Sequence, residues 1–421
     1  MMRAAPSPEE VRRHNLGTLL RHIHLRGSAS RAELAEGMGL NRSTIMALTS
    51  ELTAAGVVRE ELPRSTGRRA GRPSLVVRPE STRVYVLAFQ IGVHRLVAAR
   101  VGLGGVILDR RETTRPRGPF DPDEIVGVLA SFTRQLVRRA DPDAVCVGAG
   151  AAFSGMVRSS DGMVRYGPNI GAVDVSLGEM LSRRLGLGLT VAIANNANLG
   201  ALAEHRRGVG VGCQNLLYLH ADVGVGGGII VGGRLLEGAD GYGGEVGHMV
   251  VNPAGRRCGC GSRGCLEAEV GELALLAHAG REDAVAELGG REAVQAVLEA
   301  ADRGDSAARE ALHRVGDWLG LGVANLVNVF NPEMVIFGGT LRDIYLGAAA
   351  QVRSRLATGA MAASRERVRL RTAELGEDTT LVGAAELAFS EVLNDPLEVL
   401  ARLRTGAAAG RPLRDRSGSR V

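Results

Sequence analysis

Lysine is absent from this 421-residue chain, and every one of its 51 basic side chains is an arginine. Aromatic residues are scarce at 3%, with a single Trp, so any core must be built from Leu, Val, Ile and Ala. No apolar run reaches the roughly 20 residues that span a bilayer, and no secretory apolar segment precedes the first helical pattern. Those absences point to a cytoplasmic protein with no membrane partner. Cysteine is sparse, five in all, at 146, 213, 258, 260 and 265. In a reducing compartment such thiols are not expected to pair as disulfides. Three of them cluster, and a cluster has other uses.

At this length a single ordinary core is excluded, and two or three folding units are expected. A hydrophobic share of 45% and a charged share of 23% belong to a soluble globular protein. Charge is unevenly placed. Residues 1–80 hold 13 Arg against 8 Glu, and residues 401–421 hold 6 Arg against one Asp. The stretch between them has 32 Arg against 37 acidic residues. The net charge of +5 thus conceals a basic head, an acidic body and a basic tail. A basic head on an acidic body suits a DNA-binding module on a ligand-binding domain, although a solvated face gives the same arithmetic.

The head carries its own punctuation. Ser7-Pro8-Glu9-Glu10 combines a capping box with Pro at the first helical position, and Ser30-Arg31-Ala32-Glu33 repeats the box. Asn41 caps a third helix that turns Ile45, Leu48 and Leu52 inward. Small Ala35 and the turn at Gly39 fit a helix-turn-helix whose second helix stands clear to read DNA. Val57-Val58-Arg59-Glu60 and Leu75-Val76-Val77 read as two strands of a wing. Between them a Gly-Arg-Pro segment supplies Arg68, Arg69 and Arg72 for phosphates or a minor groove. Met46 and Ala47 occupy positions where polar side chains are more usual, so base contacts are expected from Arg42, Ser43, Thr44 and Thr49. A plain three-helix bundle with a basic loop is the competing reading. It does not account for caps, turn and wing together.

From about residue 84, strand patterns alternate with helical ones, the signature of an α/β domain. Asp222-Val223-Gly224-Val225-Gly226-Gly227-Gly228 is rich enough in glycine for backbone amides to approach an anion or a sugar, but tight hairpins use such glycines too. His248, Cys258, Cys260 and Cys265 offer a closed Cys₃His set, which favours Zn²⁺. Unligated thiols in a glycine loop are the alternative. A helical stretch over residues 307–329 carries Leu312, Trp318, Leu319, Val323 and Leu326 at a spacing that fits core or subunit contacts equally.

From about Val11 to Ala388 the chain resembles the ROK family, which groups sugar kinases with sugar-sensing repressors. The resemblance rests first on His248 with Cys258-Gly259-Cys260-Gly261-Ser262-Arg263-Gly264-Cys265-Leu266-Glu267, then on the glycine run and Asn331-Pro332-Glu333 through Gly338-Gly339. It implies an N-terminal winged helix-turn-helix (residues 1–80) followed by a two-lobed actin-like ATPase, sugar-kinase-like domain (81–400). A disordered basic tail (401–421) is expected after it. It also implies a zinc site at His248, Cys258, Cys260 and Cys265, and sugar contacts at Asn169, Asn195, Glu245, His248 and Glu267. Glu245 and Glu267 could instead only buttress the metal loop.

Kinases of the family carry an Asn-Asp-Ala-Asn loop whose Asp takes the proton from the sugar hydroxyl. The matching stretch here is Asn195-Asn196-Ala197-Asn198, and an amide cannot accept that proton. Gln90 stands where a metal-organising Asp is expected, and Asp222-Val223 replaces a Gly-Thr pair. No catalytic residue is therefore assigned. The resemblance implies a regulator, most simply a repressor, with operator DNA, a sugar or sugar phosphate effector and a homo-oligomeric assembly as partners. A sugar kinase and a ligand-independent DNA-binding scaffold remain the alternatives.

Overall fold

The computed structural model describes residues 7–62, 74–115, 120–284 and 290–409. Helix α1 (Pro8–Arg26) begins at the expected capping box: the Glu10 amide donates to Ser7 Oγ at 3.2 Å and the Ser7 amide to Glu10 Oε2 at 2.6 Å. Strand β1 (Ala29–Ser30) precedes α2 (Arg31–Met38), which repeats the box with Ser30 and Glu33. Gly39 then adopts a left-handed φ of 63° and redirects the chain into α3 (Arg42–Ala54), capped by Asn41. Strands β2 (Val58–Glu61) and β3 (Val76–Pro79) pair antiparallel, and β1 joins β3 on its other side. The third strand is too short to leave a pattern in the sequence. Arg68, Arg69 and Arg72 lie outside the described residues.

Two five-stranded sheets follow with one topology between them. In the first lobe, β4 (Val84–Ile91), β5 (Arg95–Gly102) and β6 (Val106–Thr114) form an antiparallel meander. After α4 (Pro122–Arg138), β7 (Val145–Phe153) adds parallel to β4. A small sheet of β8 (Met156–Arg158), β9 (Met163–Gly167) and β10 (Ala172–Val175) and the helix α5 (Leu177–Leu185) intervene. Strand β11 (Val191–Asn195) then completes the sheet, parallel to β7, and runs straight into α6 (Asn196–Arg207).

The second lobe repeats the plan. Strands β12 (Leu216–Ala221), β13 (Val225–Val231) and β14 (Arg234–Leu235) form the meander. Helices α7 (Leu266–Val270), α8 (Glu272–His278), α9 (Gly290–Asp302) and α10 (Ser306–Phe330) precede β15 (Met334–Gly339), which pairs parallel to β12. Then come α11 (Thr340–Gly347), α12 (Ala349–Gly359), α13 (Ala362–Arg365), the outer parallel strand β16 (Arg369–Thr372), α14 (Thr379–Asn394) and α15 (Pro396–Ala409). This duplicated lobe is the actin-like arrangement. It sets the β4–β5 and β12–β13 turns at equivalent places. On α10, Leu312, Leu319, Val323 and Leu326 are buried in the second-lobe core, so that stripe serves packing.

The head is not a bead on a string. Leu16, Leu19, Leu20 and Ile23 of α1 belong to the same buried cluster as Val86 and Ala88 of β4 and Phe389 and Val392 of α14. A tail disordered from residue 401 is not what forms: α15 continues to Ala409, because Val399, Leu400 and Leu403 pack into that cluster. Residues 410–421 lie outside the described residues. Among the described residues no helix is long and apolar enough to cross a membrane.

Since Phe389 is fully buried where α1 meets α14, Phe389→Ala should cost about 3–5 kcal/mol. Head and body should lose that stability together, in one transition, when unfolding is followed by calorimetry and by circular dichroism. A separate, unshifted transition for the head would contradict a shared core.

Candidate functional site

Four soft donors converge beside β13. His248 ends a single 3₁₀ turn, Val246–His248, and the three thiols come from the loop that leads into α7. Their ligand atoms all lie within 4.8 Å of one another. Cys260 Sγ is 3.7 Å from Cys265 Sγ, and Cys258 Sγ is 3.6 Å from His248 Nδ1. A tetrahedral ion with metal–sulfur bonds of about 2.3 Å and a metal–nitrogen bond of about 2.0 Å has edges of about 3.8 and 3.5 Å. The donor set fits such an ion. Backbone bonds hold the loop in shape, Cys258 N–H to Ser262 O at 2.9 Å and Val251 N–H to Gly264 O at 2.9 Å. Gly264 is obligatory there: φ is +70°, and a Cβ would lie 1.5 Å from the Asn252 carbonyl oxygen.

The outer nitrogen of His248 turns the other way, with Nε2 3.9 Å from Glu245 Oε2. Burial pushes the Glu245 carboxyl upward, Glu267 adds to the rise, and His248 opposes it. Glu267 accepts the Val225 amide on Oε2 at 2.9 Å, and its Oε1 lies 3.4 Å from Cys258 Sγ. Asn169 reaches the same spot, since a Cβ on Gly224 would meet Glu267 Oε2 at 2.3 Å and Asn169 Nδ2 at 2.7 Å. Carboxylates, an imidazole and an amide around one opening can match the fixed donor and acceptor directions of a polyol. Asn195 is engaged by its own helix. Its Oδ1 accepts the Ala197 and Asn198 amides and its Nδ2 donates to Gly155 O, so it caps α6 and ties it to the loop after β7. Asn196 Nδ2 donates to Ser154 Oγ at 3.2 Å.

The glycine run divides in two. Gly226, Gly227 and Gly228 sit inside β13 and cradle no ligand: a Cβ at Gly228 would lie 2.4 Å from the Ala197 carbonyl of α6, and one at Gly227 would lie 2.3 Å from Val246. Gly224, ahead of the strand, is instead crowded by Glu267 and Asn169. At the equivalent turn of the first lobe, Gly92 N–H closes on Arg95 O at 3.0 Å, and Arg95 itself pairs with Glu377 at 3.3 Å. That turn holds a guanidinium, with Gln90 Oε1 3.4 Å from it.

On the head, Arg42 and Ser43 are exposed on α3 and Thr44 is half-buried. Thr49 is a correction: it is fully buried, and its hydroxyl donates to Met46 O at 3.1 Å, since its position on α3 adjoins Leu48 and Leu52 on the packed face. Ser50 is exposed instead. The spacing 43, 46, 47, 50 marks one helix face and could have revealed it.

A two-lobed, actin-like body with a Cys₃His loop and a winged helix-turn-helix at its N-terminus defines the class. Residues 86–391, more than half of the chain, match the ROK family, and the protein belongs to it. It is 29% identical over 394 residues to a putative xylose repressor of a Caldicellulosiruptor species, covering 90% of this chain and 96% of that one. A crystal structure of a ROK family transcriptional regulator, a homologue of the E. coli MLC protein, superposes with a TM-score of 0.76 at 25% identity, covering 94% of this chain and all of that one. A ROK family glucokinase from Streptomyces griseus, solved with glucose and AMPPNP, gives a TM-score of 0.60 at 30% identity, with 72% of this chain and 99% of the glucokinase covered.

The crowding at Gly224 gives a direct check. Gly224→Ala must displace Glu267 or Asn169 and should cost about 1–3 kcal/mol. Gly127→Ala in α4, where a Cβ meets nothing within 4 Å, should be neutral or stabilising by up to about 1 kcal/mol. Denaturant unfolding of the two variants beside the parent measures both.

Proposed function

We propose that the protein is a sugar-responsive DNA-binding regulator of transcription, acting as a cytoplasmic repressor of genes for carbohydrate metabolism. The observation that carries this reading is the fusion, through one buried core, of a DNA-reading head to a sugar-kinase-like cleft with Asn196 at the general-base position. Relatives of near-equal length are xylose repressors, which supports it. A sugar could be held by Asn169, Asn195, Glu245, His248 and Glu267, but a carboxamide at residue 196 cannot take a hydroxyl proton. Gln90 likewise offers no carboxylate to a metal–nucleotide complex. We therefore assign no phosphotransfer.

Zinc is the cofactor we assign to His248, Cys258, Cys260 and Cys265, because a set of three thiolates and an imidazole closes the coordination shell. Its work is structural. With an ion bound, His248 would be held through Nδ1 with Nε2 left toward Glu245, and Cys265 would anchor the start of the helix that carries Glu267. Protein purified without added metal should contain one zinc per chain. Cys260→Ser should lose the ion and, with it, sugar binding. Elemental analysis and a thermal-shift titration decide the matter, and undiminished sugar affinity after complete metal loss would dismiss the role.

A single head reads only a short half-site, so the active form should be a homo-oligomer on a near-palindromic operator. Arg42 with Arg68, Arg69 and Arg72 would supply the phosphate contacts, and Ser43, Thr44 and the newly placed Ser50 would face the bases. A duplex enriched from a random DNA pool by the full chain provides the operator. Its affinity should fall steeply with salt, and the double replacement of Arg69 and Arg72 by Ala should reduce the log–log salt slope by about 2. It should leave sugar binding untouched. Glu245→Gln should bind the duplex normally yet ignore sugar. Failure to enrich any duplex would leave the regulator reading without support.

A further inference from the structure

Helix α6 has one end at the cleft and the other at the head. At 1.5 Å per residue its 12 residues span about 18 Å. Its first turn is fixed by Asn195 and packs on β13, where only the missing side chain of Gly228 admits the Ala197 carbonyl. Strand β13 is in turn gripped by Glu267 through the Val225 amide. Whatever moves the Glu267 carboxylate therefore bears on β13 through the Val225 amide, and β13 meets the N-terminal turn of α6 backbone to backbone.

The far end holds the head. Arg207 Nη1 donates to Gly104 O at 2.8 Å, its Nη2 to the carbonyl of His24 on α1 at 3.2 Å, and its Nε to Glu386 of α14. Arg206 Nη1 donates to the same carboxylate at 3.2 Å. His24 is fully buried and accepts the Gly104 amide on Nδ1 at 3.0 Å, while its Nε2 lies 3.0 Å from Glu386 Oε1 and 2.5 Å from Arg207 Nη2. Burial keeps that imidazole neutral against the pull of Glu386. Burial works against the charge on Glu386 as well, but His24, Arg207 and Arg206 outweigh it and hold the carboxyl ionised. One guanidinium thus bonds three elements at once: α1 of the head, the β5–β6 turn and α14. Gly105, with φ +81°, leaves room for it, since a Cβ there would lie 2.4 Å from the Arg207 guanidinium carbon. Further along, α1 touches α14 with no side chain between them, a Cβ on Gly17 coming 2.8 Å from the Leu393 and Asn394 carbonyls.

We infer that Arg207 is the positioning residue by which α6 transmits the state of the sugar cleft to the DNA-reading head. The inference rests on the regulator reading above and adds to it the route of regulation. Closure of the lobes changes the angle at which α6 crosses α14. Arg207 lies at the end of that lever, and it has three rigid partners, two of them backbone carbonyls. It cannot follow a displacement without dragging α1 or releasing it. Either result alters how the two heads of an oligomer are presented. Arg207 touches neither sugar nor DNA, so it can govern the coupling between those sites without contributing to either affinity.

The test measures operator affinity of the full chain by fluorescence anisotropy, on the enriched duplex, with and without saturating sugar. The sugar is whichever of D-xylose, D-glucose and N-acetyl-D-glucosamine raises the melting temperature of the parent. The parent should show a ratio of about 5–150, the usual range for coupled sites. In Arg207→Ala and in Arg207→Lys, which keeps the charge but not the fork, the ratio should fall to within about twofold of unity. The sugar Kd and the sugar-free operator Kd should each stay within about threefold of the parent. The Lys variant secures the test if the Ala variant does not fold. A parental ratio in a folded Arg207 variant overturns the relay alone. A parent whose operator affinity ignores every one of these sugars overturns the relay and the regulator reading together.

Discussion

Where α6 passes over α14, a Cβ on Gly383 would lie 2.1 Å from the Leu199 carbonyl oxygen. The two helices meet backbone to backbone, and each is the continuation of its own lobe's outermost strand, β11 for α6 and β16 for α14. This contact joins the two lobes, since α6 packs on β13 and α14 on β4. Glu204 reinforces it from α6: buried in full, its carboxylate accepts the amides of Val209, Glu374 and Leu375. Burial raises its pKa, so the three backbone donors offset the loss of water around the carboxylate.

Everything with a function is hung on that crossing. The metal loop, through Glu267 and β13, bears on the start of α6, and the head bears on the end of α6 and the outer face of α14. The buried cluster that joins the head to the first lobe makes the helix-turn-helix part of the body's packing, so a change in lobe angle has no soft linker in which to dissipate. Tight interiors behave as discrete packings rather than as continuous springs.

Much of this was written in local chemistry. The two Ser–Glu capping boxes, the Asn41 cap and Gly39 placed all three helices of the head within a residue or two, because each cap is satisfied by atoms three positions away. The Cys₃His spacing located the metal loop for the same reason. Thr49 was misplaced because its helix face depends on what α3 packs against, and propensity does not record that. The tail was misjudged because Arg- and Ala-rich composition hid the apolar stripe of Val399, Leu400 and Leu403. Asn195 stands at a sugar-contacting position of the motif and also caps a helix, two uses of one amide that a motif does not separate.

By itself, then, the sequence determined the elements, their caps, the His248, Cys258, Cys260 and Cys265 cluster and the amide at residue 196, all features decided within a few residues of chain. Tertiary structure alone decided that Gly227 and Gly228 press on Val246 and α6 while Gly224 is crowded by Glu267 and Asn169, and that His24, Arg207 and Glu386 form one buried set. His24 and Glu386 are 362 positions apart. No periodicity or spacing links groups so distant. Their bonding exists only because two helices cross and bury a carboxylate that water no longer reaches.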